Sequence, residues 1–420
     1  MKSVPLNRVE LDVRSPQFYQ NPYPQYLEWQ EKHPSFYWEN YGLTAFVGYR
    51  EIDLILRDKR FGRSLVGVPL THDENPSPSV LPFYRADQYS LLNLEPPDHS
   101  RIRSLVQRAF MSRQIERIAP RIATLAHELC DEMLKQISLH GQVDFKKHFA
   151  TPIPVMIIAD MLGIDSSAVS KLLHWSHQMV RMYEQARTVE IEEAAGRAAQ
   201  EFMDYLEEVL AEKRNNAEDD LISHLLTVQI DDAALSDAEI ISTIILLLNA
   251  GHEATVNVIG NGLVALLENP KELDLWRANL GSEKFNQTAV EEILRFDTPL
   301  HIFNRWVLQD ASIDGQDLKR GDQISLILGA GNRDEAVFSK GSTLDLERTV
   351  NPHLSFGRGI HFCLGAPLAR LELQVALPIL LKRISDLSLA VAPTVSNTYH
   401  FRGYTEIIVG AQQPPTSYLL

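Results

Sequence analysis

Cys363 lies in the stretch FGRGIHFCLG, residues 356–365, which also holds three glycines and a histidine. Leu364, Gly365, Ala366 and Pro367 follow, then LARLELQVALPILLKRI, a helical pattern. Proline near a first helical turn is expected. The cysteine therefore stands just ahead of a helix N-terminus, where free N–H groups and the helix dipole favour thiolate over thiol. A thiolate held this way suits a nucleophile or a metal ligand, and the flanking glycines let backbone approach something large and flat. Other readings stay open on the loop alone. A dinucleotide fingerprint would need glycine where Phe362 stands. Structural zinc wants four ligands, and no second cysteine is near. A cysteine–histidine nucleophile would use His361 as base, but residues two apart point the same way only in extended chain. A glycine-rich turn around an inert thiol needs no activity at all.

Other residues could carry chemistry with it. In AVEEILRF, Glu292 and Arg295 are three apart and share a helix face. Such a pair is ordinarily a solvated one worth little, but this one sits in an apolar frame that favours a buried, hydrogen-bonded pair. PPDHSRIRSLVQRAF offers His99 and Arg103 four apart on one face, and NRWVL adds Arg305. With His361 these are donors fit for carboxylates, although each alone reads as an ordinary surface residue. An apolar helical run contains Ala250, Gly251, His252, Glu253, Ala254 and Thr255. Glycine and a carboxylate are both costly inside a buried helix. Either a helix crossing needs Gly251 and Glu253 pairs with His252 or an arginine, or this is a working site.

The elements that must position these groups are mostly helical. From about residue 98 to 300, apolar residues recur at three- and four-residue steps. Strand signals are short: TAFVGY near 44, NRWVL near 304, DQISLIL near 322 and TEIIVG near 405. Residues 64–88 carry four prolines and predict a long loop. Ser236 and Glu239 form a capping box, and the helix they open runs to Asn269-Pro270, roughly 50 Å at 1.5 Å per residue. Its first half is apolar all round, so it runs through the interior. Neither a repeat nor a flexible linker divides the chain.

The whole chain narrows the function classes. Its 420 residues carry a formal net charge of −15, which argues against nucleic acid as a main partner. Two cysteines, Cys130 and Cys363, cannot build a disulfide framework and point to a reducing, cytoplasmic setting. The first residues lack the apolar core of a signal peptide. No run of 18 or more uncharged apolar residues predicts a membrane span.

Taken together these motifs resemble the bacterial soluble cytochrome P-450 family. The loop F-G-x-G-x-H-x-C-x-G is matched in full. So are E-x-x-R at Glu292 and Arg295, A-G-x-E at Ala250, Gly251 and Glu253, and P-P-[DE]-H-x-R-x-R from Pro96 to Arg103. GNRDEAVF and NPHLSFG also fit, and the likeness runs in order from about residue 20 to the C-terminus. It implies a mainly α, triangular fold with small β-sheets, one domain over 1–420 with 1–20 as an N-terminal extension, and a b-type haem held over the loop 356–365. By that likeness Cys363 is the thiolate ligand of the haem iron. His99, Arg103, Arg305 and His361 hold the propionates, and Ala250, Phe356, Gly357 and Gly365 lie against the ring. Glu292 and Arg295 lock the core behind it with Arg348. Gly251 leaves room for dioxygen, and Glu253 handles protons.

One position departs from the family. Threonine usually follows the acid, but here Ala254 does, and Thr255 comes one residue later, turned about 100° around the helix. Ordinary proton delivery is then in doubt. Some macrolide-hydroxylating relatives share the alanine, and there the substrate's own hydroxyl is implied to take part. The implied activity is a monooxygenase on a lipophilic small molecule, such as an oxygenated polyketide or macrolide-like compound or a terpenoid. Electrons would come from NAD(P)H through a ferredoxin or flavodoxin and its reductase, meeting Arg101, Arg108 and Arg358 on a monomeric enzyme. The alternatives are a haem-thiolate enzyme that uses peroxide or rearranges its substrate, and a haem sensor or carrier without turnover. Phe83, Tyr84, Trp175, Met179, Ile302 and Phe303 are the candidate pocket residues.

Overall fold

The computed structural model describes residues 7–65, 76–110, 112–183, 187–231 and 233–411. The helices that position the site are α1 (Tyr49–Arg57), α2 (Leu81–Asp87), α3 (Asp98–Ala109), α4 (Ser112–His140), α5 (Pro152–Leu162), α6 (Val169–Val180), α7 (Val189–Asn215), α8 (Asp237–Glu268), α9 (Glu283–Phe296) and α10 (Ala366–Arg383). The architecture is mainly α with small sheets, as the periodicity predicts.

Helix α8 is the axis of the molecule. Glu239 N–H donates to Ser236 Oγ, and Ser236 N–H donates to Glu239 Oε2 at 2.8 Å, the reciprocal capping box the sequence predicts. The helix runs 32 residues, about 48 Å at 1.5 Å per residue, and stops where Pro270 opens the next helix. It is buried on most of its faces among α5, α6, α7 and α9. Behind it α10 packs along α4 and α9.

A six-stranded sheet flanks this helical body. Its strands are β1 (Arg8–Val9), β2 (Ser35–Trp38), β3 (Leu43–Phe46), β4 (Phe61–Gly62), β5 (Ile302–Val307) and β6 (Gln323–Ile327), in the order β1-β2-β3-β6-β5-β4. β6 runs parallel to β3 and antiparallel to β5, with Ile324 opposite both Thr44 and Arg305. β4 pairs with the end of β5, which brings Arg63 beside the backbone of Asn304.

Two sequence readings change. The expected loop over 64–88 contains helix α2, because Pro82 falls in its first turn while Phe83 and Ala86 bury against the core. Residues 66–75 of that loop lie outside the described residues. The stretch treated as an N-terminal extension is built into the fold from residue 7. Arg8 and Val9 pair with Tyr37 and Trp38, and Val13 and Phe18 are buried in an aromatic cluster with Tyr26, Trp29 and Tyr399. Among the described residues no helix is long and apolar enough to cross a membrane.

Candidate functional site

The loop carrying Cys363 is held by the protein around it. Gly359 has φ +69°, and a Cβ there would lie 2.3 Å from the Leu56 carbonyl oxygen at the end of α1. Only glycine allows that approach. The glycine thus serves contact with protein backbone as well as any flat group. Cys363 N–H donates to Phe356 O at 2.9 Å and closes the turn. Burial pushes the Cys363 thiol up, while N–H groups of Gly365 and Ala366 at the start of α10, with Arg103 and Arg370, pull it down. The seat at a helix N-terminus is as read from the sequence, but burial works against the free thiolate. A metal ion on the sulfur would reverse that balance. Cys130, in contrast, is core: its thiol is pushed up to about 12 by burial.

Cys363 lines a cavity whose facing wall is the middle of α8, at Ala250, Gly251, Ala254 and Thr255. Phe356 and Gly365 also line it. Gly357 instead takes φ +67° and sits under the Phe303 ring. A Cβ on Gly251 would meet Ile158 Cδ1 of α5 at 3.3 Å, so this glycine also keeps a helix crossing close. Thr255 was expected to turn away, yet it shares the cavity wall with Ala254, since two residues about 100° apart still fall on one broad face. Its hydroxyl donates to Gly251 O at 2.9 Å.

At one edge of the cavity buried donors converge. His99, 1% exposed, opens α3, and its ring lies 4.4 Å from that of His361. Burial lowers the His99 pKa to about 4, with His361 and Arg103 adding to it, and His361 is lowered chiefly by burial. Among the described residues His99 Nε2 has no hydrogen-bond partner, and His361 Nε2 has only Glu95 at 3.4 Å, poorly aligned. Arg305 on β5 is 3% exposed and donates to the Asn304 carbonyl at 2.9 Å. Burial, with Arg63 beside it, lowers it to about 9. Arg103 donates to Phe362 O at 2.6 Å. Neither arginine makes an ion pair among the described residues. The sequence reading omitted Arg63, which donates to Leu92 O and Asn304 O. It also omitted Glu372 of α10. That carboxyl lines the cavity, has an unpartnered Oε1, and is pushed up to about 8 by burial. A lone acid within LARLELQVAL was the available signal.

Glu253 is placed differently from the expectation. It is about a quarter exposed and lines a separate cavity of about 440 Å³ with Val13, His177, Tyr183 and His400. The helix turn that aims Ala254 at Cys363 aims its neighbour outward. Between the two cavities lies a third chamber walled by Leu246, Asn249, Leu300, Phe303 and Phe401, with Arg63, Asp87 and Tyr183 at one end. Of the predicted pocket residues Phe303 lines it. Phe83 and Ile302 are packed in cores, Met179 is 1% exposed, and Trp175 stacks on Phe202 and donates to Glu201.

Behind Cys363, Glu292 and Arg295 are fully buried. Arg295 donates Nε–H and Nη2–H to the carboxylate at 2.8 and 2.7 Å, and its other N–H groups to the carbonyls of Asn332, Gly341 and Thr343. Arg348, Asn351 and the Asp345 N–H also donate to Glu292.

The family model described as Cytochrome P450 matches residues 70–393. The polyketide biosynthesis cytochrome P450 PksS of Bacillus subtilis is 36% identical over 90% of this chain and 92% of its own length. The mycinamicin IV hydroxylase/epoxidase of Micromonospora griseorubida is 35% identical over 88% of this chain and 90% of its own. Among solved structures, P450BioI in complex with a hexadec-9Z-enoic acid ligated acyl carrier protein aligns with TM-score 0.86 at 31% identity, covering 95% of this chain and 100% of that one.

Proposed function

This chain belongs to the cytochrome P450 family and is a haem-thiolate monooxygenase; from that premise we propose how its residues divide the work and which substrates it takes. The observation that carries the reading is the cavity that sets Cys363 opposite the small residues of α8, with unpartnered buried donors at its edge. Haem, when bound, supplies the oxygen-activating iron. A thiol floor, apolar walls and a cationic edge fit its metal, ring and two carboxylates. Cys363 would give the thiolate ligand. His99, His361, Arg103 and Arg305 would take the propionates, with Arg63 as a further donor. Phe356 and Gly365 lie on the thiolate side, and Ala250 and Gly251 keep the opposite wall flat.

Protons need a route that does not use a side chain at Ala254. Glu253, at the wall of the outer cavity, takes protons from solvent. Nearer Cys363, Thr255 Oγ1 and the protonated Glu372 are the protic groups of the wall. Electrons come from NAD(P)H through a ferredoxin or flavodoxin with its reductase. Arg108 is the better contact for an acidic partner, because Arg101 already donates to Glu239 and Arg358 lies 3.3 Å from Asp53.

The substrate is a lipophilic molecule that carries oxygen, of the polyketide or macrolide kind. Apolar walls with Asn249 and Asp87 set among them favour that class. Two relatives, one named for polyketide biosynthesis and one as a mycinamicin IV hydroxylase/epoxidase, support it. The test is a spectral-shift screen of macrolides, polyketides, terpenes, steroids and fatty acids, followed by a deoxy analogue of the best binder. The analogue should bind yet lose reducing equivalents as peroxide, and Ala254→Thr should restore part of the coupling. Equal coupling with and without the hydroxyl rejects the substrate's part in proton delivery.

A further inference from the structure

We propose that His177, His252 and Glu253 form a binding site for a divalent transition-metal ion of the zinc type, on the solvent side of α8. One ligand atom from each of the three lies within 4.8 Å of the others, and the rings of His177 and His252 are 5.3 Å apart. His177 is exposed on α6, Glu253 is partly exposed, and both line the outer cavity, so an ion has an open path and room for water ligands.

The strongest observation is His252. Its residue is 1% exposed, yet among the described residues its Nε2 has no hydrogen-bond partner. Its Nδ1 lies 2.8 Å from the Leu248 carbonyl, which can only accept. That fixes the proton on Nδ1 and leaves Nε2 with a bare lone pair, the tautomer of a metal-ligating histidine whose other nitrogen is held by a carbonyl. The lone pair faces Glu253 Oε2 at 3.6 Å. Two acceptors facing each other at that distance are unfavourable without a proton or cation between them. Two imidazoles and one carboxylate suit Zn²⁺, with water completing the shell, rather than Ca²⁺ or Mg²⁺. Tetrahedral bonds of about 2.1 Å bring ligand atoms to roughly 3.4 Å, so the side chains close in by about an ångström on binding.

The ion would hold the carboxylate to which proton entry is assigned above, so this part of the inference rests on that reading. Zn²⁺ at the site then slows turnover without touching the haem side. Calorimetric titration of the haem-loaded enzyme with Zn²⁺ alone should find one site that His177→Ala weakens by at least about tenfold. His177 is on the surface, so its variant should keep fold, haem and basal turnover. Zn²⁺ should slow the parent enzyme reversibly, with a chelator restoring the rate, and should not slow His177→Ala. Equal Zn²⁺ affinity of parent and variant, or no binding by the parent, overturns the site. If Zn²⁺ binds here and turnover does not change, the metal site stands and the proton role of Glu253 is overturned.

Discussion

Two buried polar regions lie on either side of Cys363, and they are finished to different degrees. Behind it, all five N–H donors of Arg295 are used and Glu292 accepts from four different residues. In front, among the described residues, His99 Nε2 and Glu372 Oε1 have no partner, and Arg305 makes a single bond to its own neighbour's carbonyl. Unmade hydrogen bonds on buried groups cost about 1–3 kcal/mol each, so the first region stabilises the fold by itself while the second keeps polar atoms open to a bound group. A charged group's burial therefore says little about its task. The state of its hydrogen bonds says much more.

Breaking the closed region should have the largest effect. Glu292→Ala leaves Arg295 buried without its counter-charge, costing about 3–5 kcal/mol, and should yield little or no haem-loaded protein. Normal yield and haem content in that variant would contradict the closed network. Next comes Cys363, the proposed iron ligand. Cys363→His should leave the fold intact but abolish both turnover and the thiolate absorption band of the reduced carbon monoxide complex. A band that survives rejects Cys363 as ligand.

Glu253→Gln should keep substrate binding and slow turnover by about 10²–10⁴, the range for a positioned proton carrier. A change within roughly a factor of two makes Glu253 structural. Arg305→Ala sharpens the contrast with Glu292→Ala, because it removes a donor from the unfinished region. The protein should fold and lose haem affinity by about 10- to 100-fold, the worth of a charge-assisted hydrogen bond at 1.5–3 kcal/mol, as read by haem transfer to an acceptor protein. Loss of folded protein would put Arg305 in the closed class. The last effect, small over any one pH unit, concerns Glu372. Its carboxyl is raised from 4.5 to about 8 by burial, so the folded state holds a proton that the unfolded chain releases. That contribution is fully present below 4.5 and is lost as pH rises through about 8. Glu372→Gln should flatten the fall of unfolding free energy over this window, by at most about 1.4 kcal/mol per pH unit. An unchanged slope shows that Glu372 is ionised in the fold.

Sequence patterns reached the parts that depend on local chain chemistry. The capping box at Ser236 and Glu239, the i,i+3 pair in AVEEILRF, and the turn before Pro367 each follow from neighbours along the chain. What the sequence reading missed depends on packing between distant segments. Arg63 matters because β4 pairs with β5. Phe83 and Trp175 look like pocket aromatics, but their partners on α7 and α8 absorb them. Glu253 and Ala254 are adjacent in sequence and face different cavities, a distinction that only the crossing of α8 with α5 and α6 decides. Helix α2 escaped notice because four prolines outweigh seven residues of weak pattern.

Val13 and Arg14 form part of the wall of the outer cavity, and Phe18 anchors them against Tyr399. The start of the chain therefore helps to wall the cavity that opens on Glu253, although it lies more than 200 residues away in sequence. Anyone engineering this enzyme should expect trimming before residue 20, or an added tag, to alter how tightly electron consumption is tied to product, even where the haem side is untouched.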